Sequence, residues 1–276
     1  MISAVSILLA ACGPSALAPD GGADADTDSP DAPVSTADAH PPPDNSAVYA
    51  HSATELFSID PETLMRTSIG TFSFQGSSEN LTDIAIDKTG AMVGISLSSV
   101  YSIDPENATT TLLSTFPQGQ GGLTSLSFVP MDINDPSSAE RLVGADFDGV
   151  VWGIDRSTGQ RTLLGNYNQP GNTALGSSGD IVSIVGFGIL ATVNVEGEAN
   201  DFLARIDPVT WQATVLGNTG RDKIFGIGFW GGKVYGFTDG MELLTLDPSN
   251  GAVTESSVGT IRWWGAGVTT LAPIVD

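Results

Sequence analysis

One short pattern returns five times and leaves little choice of architecture. Each copy is an apolar or aromatic run ending in an aspartate, a tight turn, and a threonine-bearing run. The copies begin Leu56-Phe57-Ser58-Ile59-Asp60, Val100-Tyr101-Ser102-Ile103-Asp104, Val151-Trp152-Gly153-Ile154-Asp155, Leu203-Ala204-Arg205-Ile206-Asp207 and Leu243-Leu244-Thr245-Leu246-Asp247. Seven residues after each aspartate stands a threonine, Thr67, Thr111, Thr162, Thr214 and Thr254. Ten residues after it stand Gly70, Ser114, Gly165 and Gly217 in the first four copies. The aspartates lie 40 to 52 residues apart, a spacing that matches a propeller blade.

The chemistry of each copy explains its shape. Aromatic and β-branched residues favour an extended strand. The aspartate can accept hydrogen bonds from amides just ahead of it, and the proline that follows in four copies presets φ for a turn. Five aligned carboxylates invite comparison with a ligand ring, but turn capping accounts for them more simply. A further strand pair precedes four of the aspartates: 81–86 with 92–95, 123–128 with 142–145, 181–185 with 189–193, and 225–229 with 233–237. The first copy has only Ala47–Ala50 ahead of it. Its missing strand is supplied at the other end of the chain, by 265–271. The expectation is an all-β, five-bladed β-propeller, closed by the C-terminal strand joining the first blade, with no sheet edge left open.

Composition agrees. The chain has 276 residues, 33 glycines, 16 prolines and only 15% charged residues, and no segment carries sustained helical periodicity. Three regions are expected: 1–11, 12–46 and 47–276. Residues 13–46 hold seven aspartates and no lysine or arginine, a composition that cannot repay the entropy of folding and reads as a disordered linker. The remaining 25 acids against 10 bases leave residues 47–276 at a net charge of −15, which repels nucleic acid and anionic headgroups.

The run Met1–Cys12 is apolar and too short to cross a bilayer. Leu9-Ala10-Ala11-Cys12 resembles the lipobox of bacterial lipoproteins, although no lysine or arginine precedes the apolar run. The resemblance implies a signal peptide over 1–11 and lipidation of Cys12, the only cysteine. With Gly13 next, it also implies attachment to the outer membrane. The blades themselves are similar to the broad group of YVTN-, NHL- and quinoprotein-like propellers, whose repeats read Leu-Tyr-x-Ile-Asp-Pro-x-Thr-Gly. That likeness speaks for a fold that hosts many activities.

Enzyme readings find little support in the residues. Propeller lactonases hold a metal at the channel mouth, but the residues judged to open the inner strands, Asp83, Ser125, Ser183, Gly226 and Gly265, include one carboxylate. His51 is the sole histidine of the domain and reads as a loop residue. No catalytic residue, metal or cofactor is expected. The preferred reading is a non-catalytic binding module for a protein, peptidoglycan or glycan ligand, with a metal-dependent hydrolase or lactonase as the alternative. The candidate binding face comprises Trp263, Trp264, Arg221, Asp222, Lys223, Asp83, Asp180 and His51. Packing between blades is the competing role for at least one of the two tryptophans. Trp211, in place of a turn glycine, is expected to be exposed on the opposite face.

Overall fold

The computed structural model describes residues 48–74 and 79–275. Cys12, the linker and the signal segment lie outside them. The first three strands are β1 (Val48–His51), β2 (Glu55–Ile59) and β3 (Arg66–Thr71). The second blade is β4 (Asp83–Ile86), β5 (Met92–Ile95), β6 (Ser99–Ile103) and β7 (Thr110–Thr115). The third is β8 (Ser127–Pro130), β9 (Glu140–Ala145), β10 (Val150–Ile154) and β11 (Arg161–Asn166). The fourth is β12 (Leu175–Ile184), β13 (Gly188–Val195), β14 (Asp201–Ile206) and β15 (Ala213–Asn218). The fifth is β16 (Ile224–Trp230), β17 (Lys233–Thr238), β18 (Glu242–Leu246) and β19 (Val253–Val258), followed by β20 (Gly265–Gly267).

These strands form five four-stranded antiparallel sheets. One of them has the order β20-β1-β2-β3, with His51 opposite Gly265 and Tyr49 opposite Gly267. The C-terminal strand therefore completes the first blade, and the protein is a five-bladed β-propeller. Strands β4, β8, β12, β16 and β20 neighbour one another around the axis. Closure uses less chain than 265–271, because β20 ends at Gly267. Beyond it the tail leaves the sheet and crosses the far end of the channel. Thr269 donates to the carbonyl of Asp87 at 3.1 Å, and Thr270 donates to Glu140. Val185 N–H donates to Thr270 O at 2.8 Å, and Gly231 N–H donates to Pro273 O at 2.8 Å. The tail thus touches the four blades to which it does not belong.

Burial follows the radial order. Strands β4, β5 and β8 are buried at every position, whereas the outermost β3, β7, β15 and β19 are mostly solvated. The side chains between blades form the core, as packed sheets require. Trp263, for example, sits edge-on to Phe57 of the first blade and Phe237 of the fifth, at 5.3 and 5.4 Å between ring centres.

The repeated aspartates cap their turns. Asp60 Oδ1 accepts the N–H groups of Glu62 and Thr63, and Asp207 Oδ1 those of Val209 and Thr210. Asp104, Asp155 and Asp247 each accept the N–H two residues on. Four residues beyond each aspartate the backbone turns left-handed, at Leu64, Ala108, Gly159, Trp211 and Gly251, with φ between 57° and 72°. Trp211 corrects the sequence expectation of an exposed ring: it is 2% exposed and lies under the Arg141 guanidinium, 5.2 Å from its ring centre. The left-handed turn directs its side chain into the seam with the third blade instead of into solvent.

The same seams explain the small residue ten positions after the aspartate. A Cβ at Gly70 would stand 2.9 Å from the carbonyl oxygen of Asn107 in the next blade's turn. At Gly165 it would meet Thr210 O at 2.6 Å, and at Gly217 Asn250 O at 2.0 Å. Ser114 occupies the equivalent place and donates to Arg156 O at 3.0 Å. In these four blades the outer strand bulges just before that residue, which brings its backbone against the neighbouring turn.

Candidate functional site at the channel mouth

Five residues hold equivalent positions around the mouth, Asp83, Ser125 just ahead of β8, Asp180, Gly226 and Gly265, since the N–H of the residue after each engages the same pair of carboxyl groups. The ring therefore contains two carboxylates. Asp180, rather than Ser183, holds the fourth position, because β12 is ten residues long and shifts register between Ser177 and Ile181.

Both carboxyl groups are buried and lie within hydrogen-bonding reach of each other. Asp83 accepts the N–H of Ile84 at 2.8 Å and that of Leu126, in the next blade, at 2.6 Å. Asp180 accepts Ile181 N–H at 2.6 Å, Ile227 N–H of the next blade at 2.7 Å, and the N–H of Ala266. One backbone donor from each of the five blades thus converges on two side chains. Removal from water is the largest influence on both groups and drives their pKa well above the ordinary 3.8, against the pull of those donors. A hydrogen bond between two carboxyl groups requires a proton on one of them, so the pair titrates as a unit.

The two glycines in the ring make room for this pair. A Cβ at Gly265 would lie 2.4 Å from both Asp83 Oδ1 and His51 Nε2, and one at Gly226 would lie 2.6 Å from the Gly265 backbone. His51 is not a loop residue. It ends β1, is fully buried, and its Nδ1 donates to Ser52 O at 2.8 Å. Its Nε2 has no partner, and burial lowers its pKa to about 4. Together these residues close the channel with polar groups that water does not reach.

Above this floor opens a cavity of about 250 Å³, lined by Thr82, Thr124, Gly179, Phe225 and Trp264, with Ser178 and Phe147. The first five immediately precede the ring residues, one from each blade. Thr82 and Thr124 turn their hydroxyl groups inward, to the carbonyls of Ile95, Leu123 and Ala145, so the walls are predominantly apolar. Phe147 stands at the rim, 69% exposed. Its turn is pinned by Asp146, which accepts the N–H groups of Asp148 and Val150.

Among the sequence candidates, only Trp264 lines this cavity. Trp263 is fully buried between the first and fifth blades, so packing replaces ligand contact as its role. Asp83, Asp180 and His51 lie beneath the mouth and out of solvent, a correction to their placement on an open face. Arg221, Asp222 and Lys223 lie in the connection from β15 to β16, Arg221 half-buried and the other two exposed. Arg221 Nε is paired with Glu242 at 2.9 Å, and Lys223 Nζ approaches Asp239 at 3.7 Å. Phe147, Phe225, Thr82, Thr124 and Ser178 escaped sequence reasoning. For Thr82, Thr124 and Phe225 the signal was their place one residue ahead of the ring position. Among the described residues no three His, Cys, Asp or Glu side chains converge as a metal-holding group. Larger open depressions of about 550 and 700 Å³ lie off the axis, beside Arg141 and beside Phe202.

No family model matches the chain, and no curated protein does. Solved structures are similar to the chain only at low identity. U3-55K is 13% identical with a TM-score of 0.42, over 78% of this chain and 62% of its own. A protein of unknown function from Bacteroides thetaiotaomicron is 13% identical with a TM-score of 0.48, over 79% of this chain and 56% of its own. Another from Bacteroides caccae is 9% identical with a TM-score of 0.43, over 78% and 73%. The chain therefore spans about 62% of U3-55K's length.

Proposed function

We propose that this chain is a lipid-anchored, extracytoplasmic propeller that acts as a non-catalytic binding module, taking its ligand at the channel mouth. The observation that carries the reading is the mouth itself: all five blades place residues around one predominantly apolar cavity. Aromatic, predominantly apolar walls suit recognition by stacking and shape. Beneath the cavity, the Asp83 and Asp180 oxygens already accept backbone N–H groups, and His51 is sealed in. The anchor rests on the lipobox at Cys12 and on the acidic composition of residues 13–46 that joins it to the domain.

Capture from a solubilised cell-envelope extract tests the binding face. The full chain is expected to retain a specific component that Trp264→Ala and Phe225→Ala release, and capture indifferent to both variants refutes the assignment. A parallel screen of lactones and esters, with and without chelator, addresses the hydrolase reading, since chelator-sensitive turnover would replace the proposal. For the anchor, Cys12→Ala should move the protein from the membrane fraction to the soluble fraction.

A further inference from the structure

The mouth brings three aromatic side chains from three blades around one cavity: Phe147 of the third, Phe225 of the fifth and Trp264 of the first. Phe147 is exposed and Phe225 and Trp264 are half-buried, so each has surface available to a guest. The aromatic face carries a negative quadrupole and attracts cations.

The charges around the mouth point the same way. Phe147 is flanked by Asp148 and by Asp146, the latter already engaged by Arg161 and the Trp152 indole N–H. The nearby cations are engaged: Arg221 with Glu242, and both Lys223 and Arg262 with Asp239. Asp222 and Asp148 are exposed and unpaired by any of them. Residues 47–276 carry a net charge of −15, so the field at the mouth favours a positive guest.

The walls discriminate between kinds of cation. A primary ammonium carries three N–H donors that lose water on entry and require acceptors. Here the threonine hydroxyls are turned to backbone carbonyls and Ser178 Oγ is the one lining hydroxyl without a partner, so three N–H donors would not all find acceptors. A quaternary ammonium has no N–H to leave unsatisfied. We infer that the channel mouth is an aromatic cage for a trimethylammonium-type cation, borne by a small ligand, with Phe147, Phe225 and Trp264 as its walls. The inference rests on the channel mouth being the binding site and adds the chemical class of what it takes.

The test compares choline with its uncharged carbon isostere, dimethylbutanol, which has the same shape without the charge. Both are titrated into the full chain by calorimetry at low salt. Choline is expected to saturate one site at least about tenfold more tightly than the isostere, the margin a partly desolvated cation–π contact provides. Phe147→Leu keeps an apolar side chain at an exposed position, so folding is not at risk; it should bring the two probes within about threefold. Equal binding of both probes, or measurable binding of neither, overturns the inference. Its failure is separable from that of the binding-module reading. Envelope capture that still requires Trp264 would preserve the module without the cation, and choline binding without such capture would do the reverse.

Discussion

Asp83 and Asp180 meet carboxyl to carboxyl at the channel axis, and each also accepts the inner-strand N–H of the following blade, Leu126 at 2.6 Å and Ile227 at 2.7 Å. Burial raises both pKa values, so above pH 3.8 the folded pair binds more protons than the unfolded chain. Stability from this pair therefore falls as pH rises from about 4. Asp83→Asn supplies an amide N–H in place of the shared proton but leaves one backbone N–H without its acceptor. The variant is expected to be less stable by about 1–3 kcal/mol near pH 4.5, with the deficit shrinking toward about pH 8. Urea unfolding at the two pH values measures this, and a constant deficit contradicts the shared proton.

His51 acts in the opposite sense. Its pKa is lowered from 6.5 to about 4 by burial, so the folded protein keeps it neutral where the unfolded chain would protonate it. That stability is present above pH 6.5 and is lost as pH falls toward 4, about 3 kcal/mol in all. In the native protein this slope and that of the carboxyl pair oppose each other over much of the same range. His51→Leu should therefore remove the acid-side loss and make melting temperature rise more steeply on acidification from about pH 6.5 to 4.5. A pH profile unchanged from the native protein would show that His51 does not titrate on unfolding.

The blade seams should rank three glycines. An alanine Cβ would approach the facing carbonyl to 2.0 Å at Gly217, 2.6 Å at Gly165 and 2.9 Å at Gly70. Each facing atom is backbone and yields only by moving a turn. The cost should run Gly217→Ala above Gly165→Ala above Gly70→Ala, within about 1–3 kcal/mol for the tighter sites, as for other overpacked positions. Denaturant midpoints of the three variants check the order.

Adjacent tryptophans should separate stability from binding. Trp263→Ala removes a fully buried ring and is expected to cost about 3–5 kcal/mol. Trp264→Ala opens the cavity wall and should change stability by far less while abolishing capture at the mouth. Equal losses of stability would place both rings in the core.

The tail strap is held by side chains that valine mimics in shape. Thr269 and Thr270 donate to Asp87 O and to Glu140 from positions that are about 1% exposed. Thr269→Val with Thr270→Val should cost about 1–3 kcal/mol in total. The change should also speed proteolysis of the tail, which mass spectrometry of limited digests would report. An unaltered digest would mean that the strap is held by its backbone contacts alone.

Local chemistry made most of the architecture legible. The Asp-Pro turns after Ile59, Ile103, Ile206 and Leu246 need only residues adjacent in the chain, and a strand surplus at one end matched a deficit at the other. What the sequence determined by itself was therefore the repeat, the turn chemistry and the closure, each a matter of neighbours or of counting. Tertiary structure decided the rest. Asp180 could be matched to Asp83 only once the register shift in β12 was seen, and Trp211 was placed by its left-handed turn and the blade beside it. Phe147 joined Phe225 and Trp264 because three blades meet at one axis. Whether His51, Asp83 or Trp263 faces water depends on what packs against its strand from other blades. Residues far apart in the chain settle that, and alternation along a single strand does not encode it.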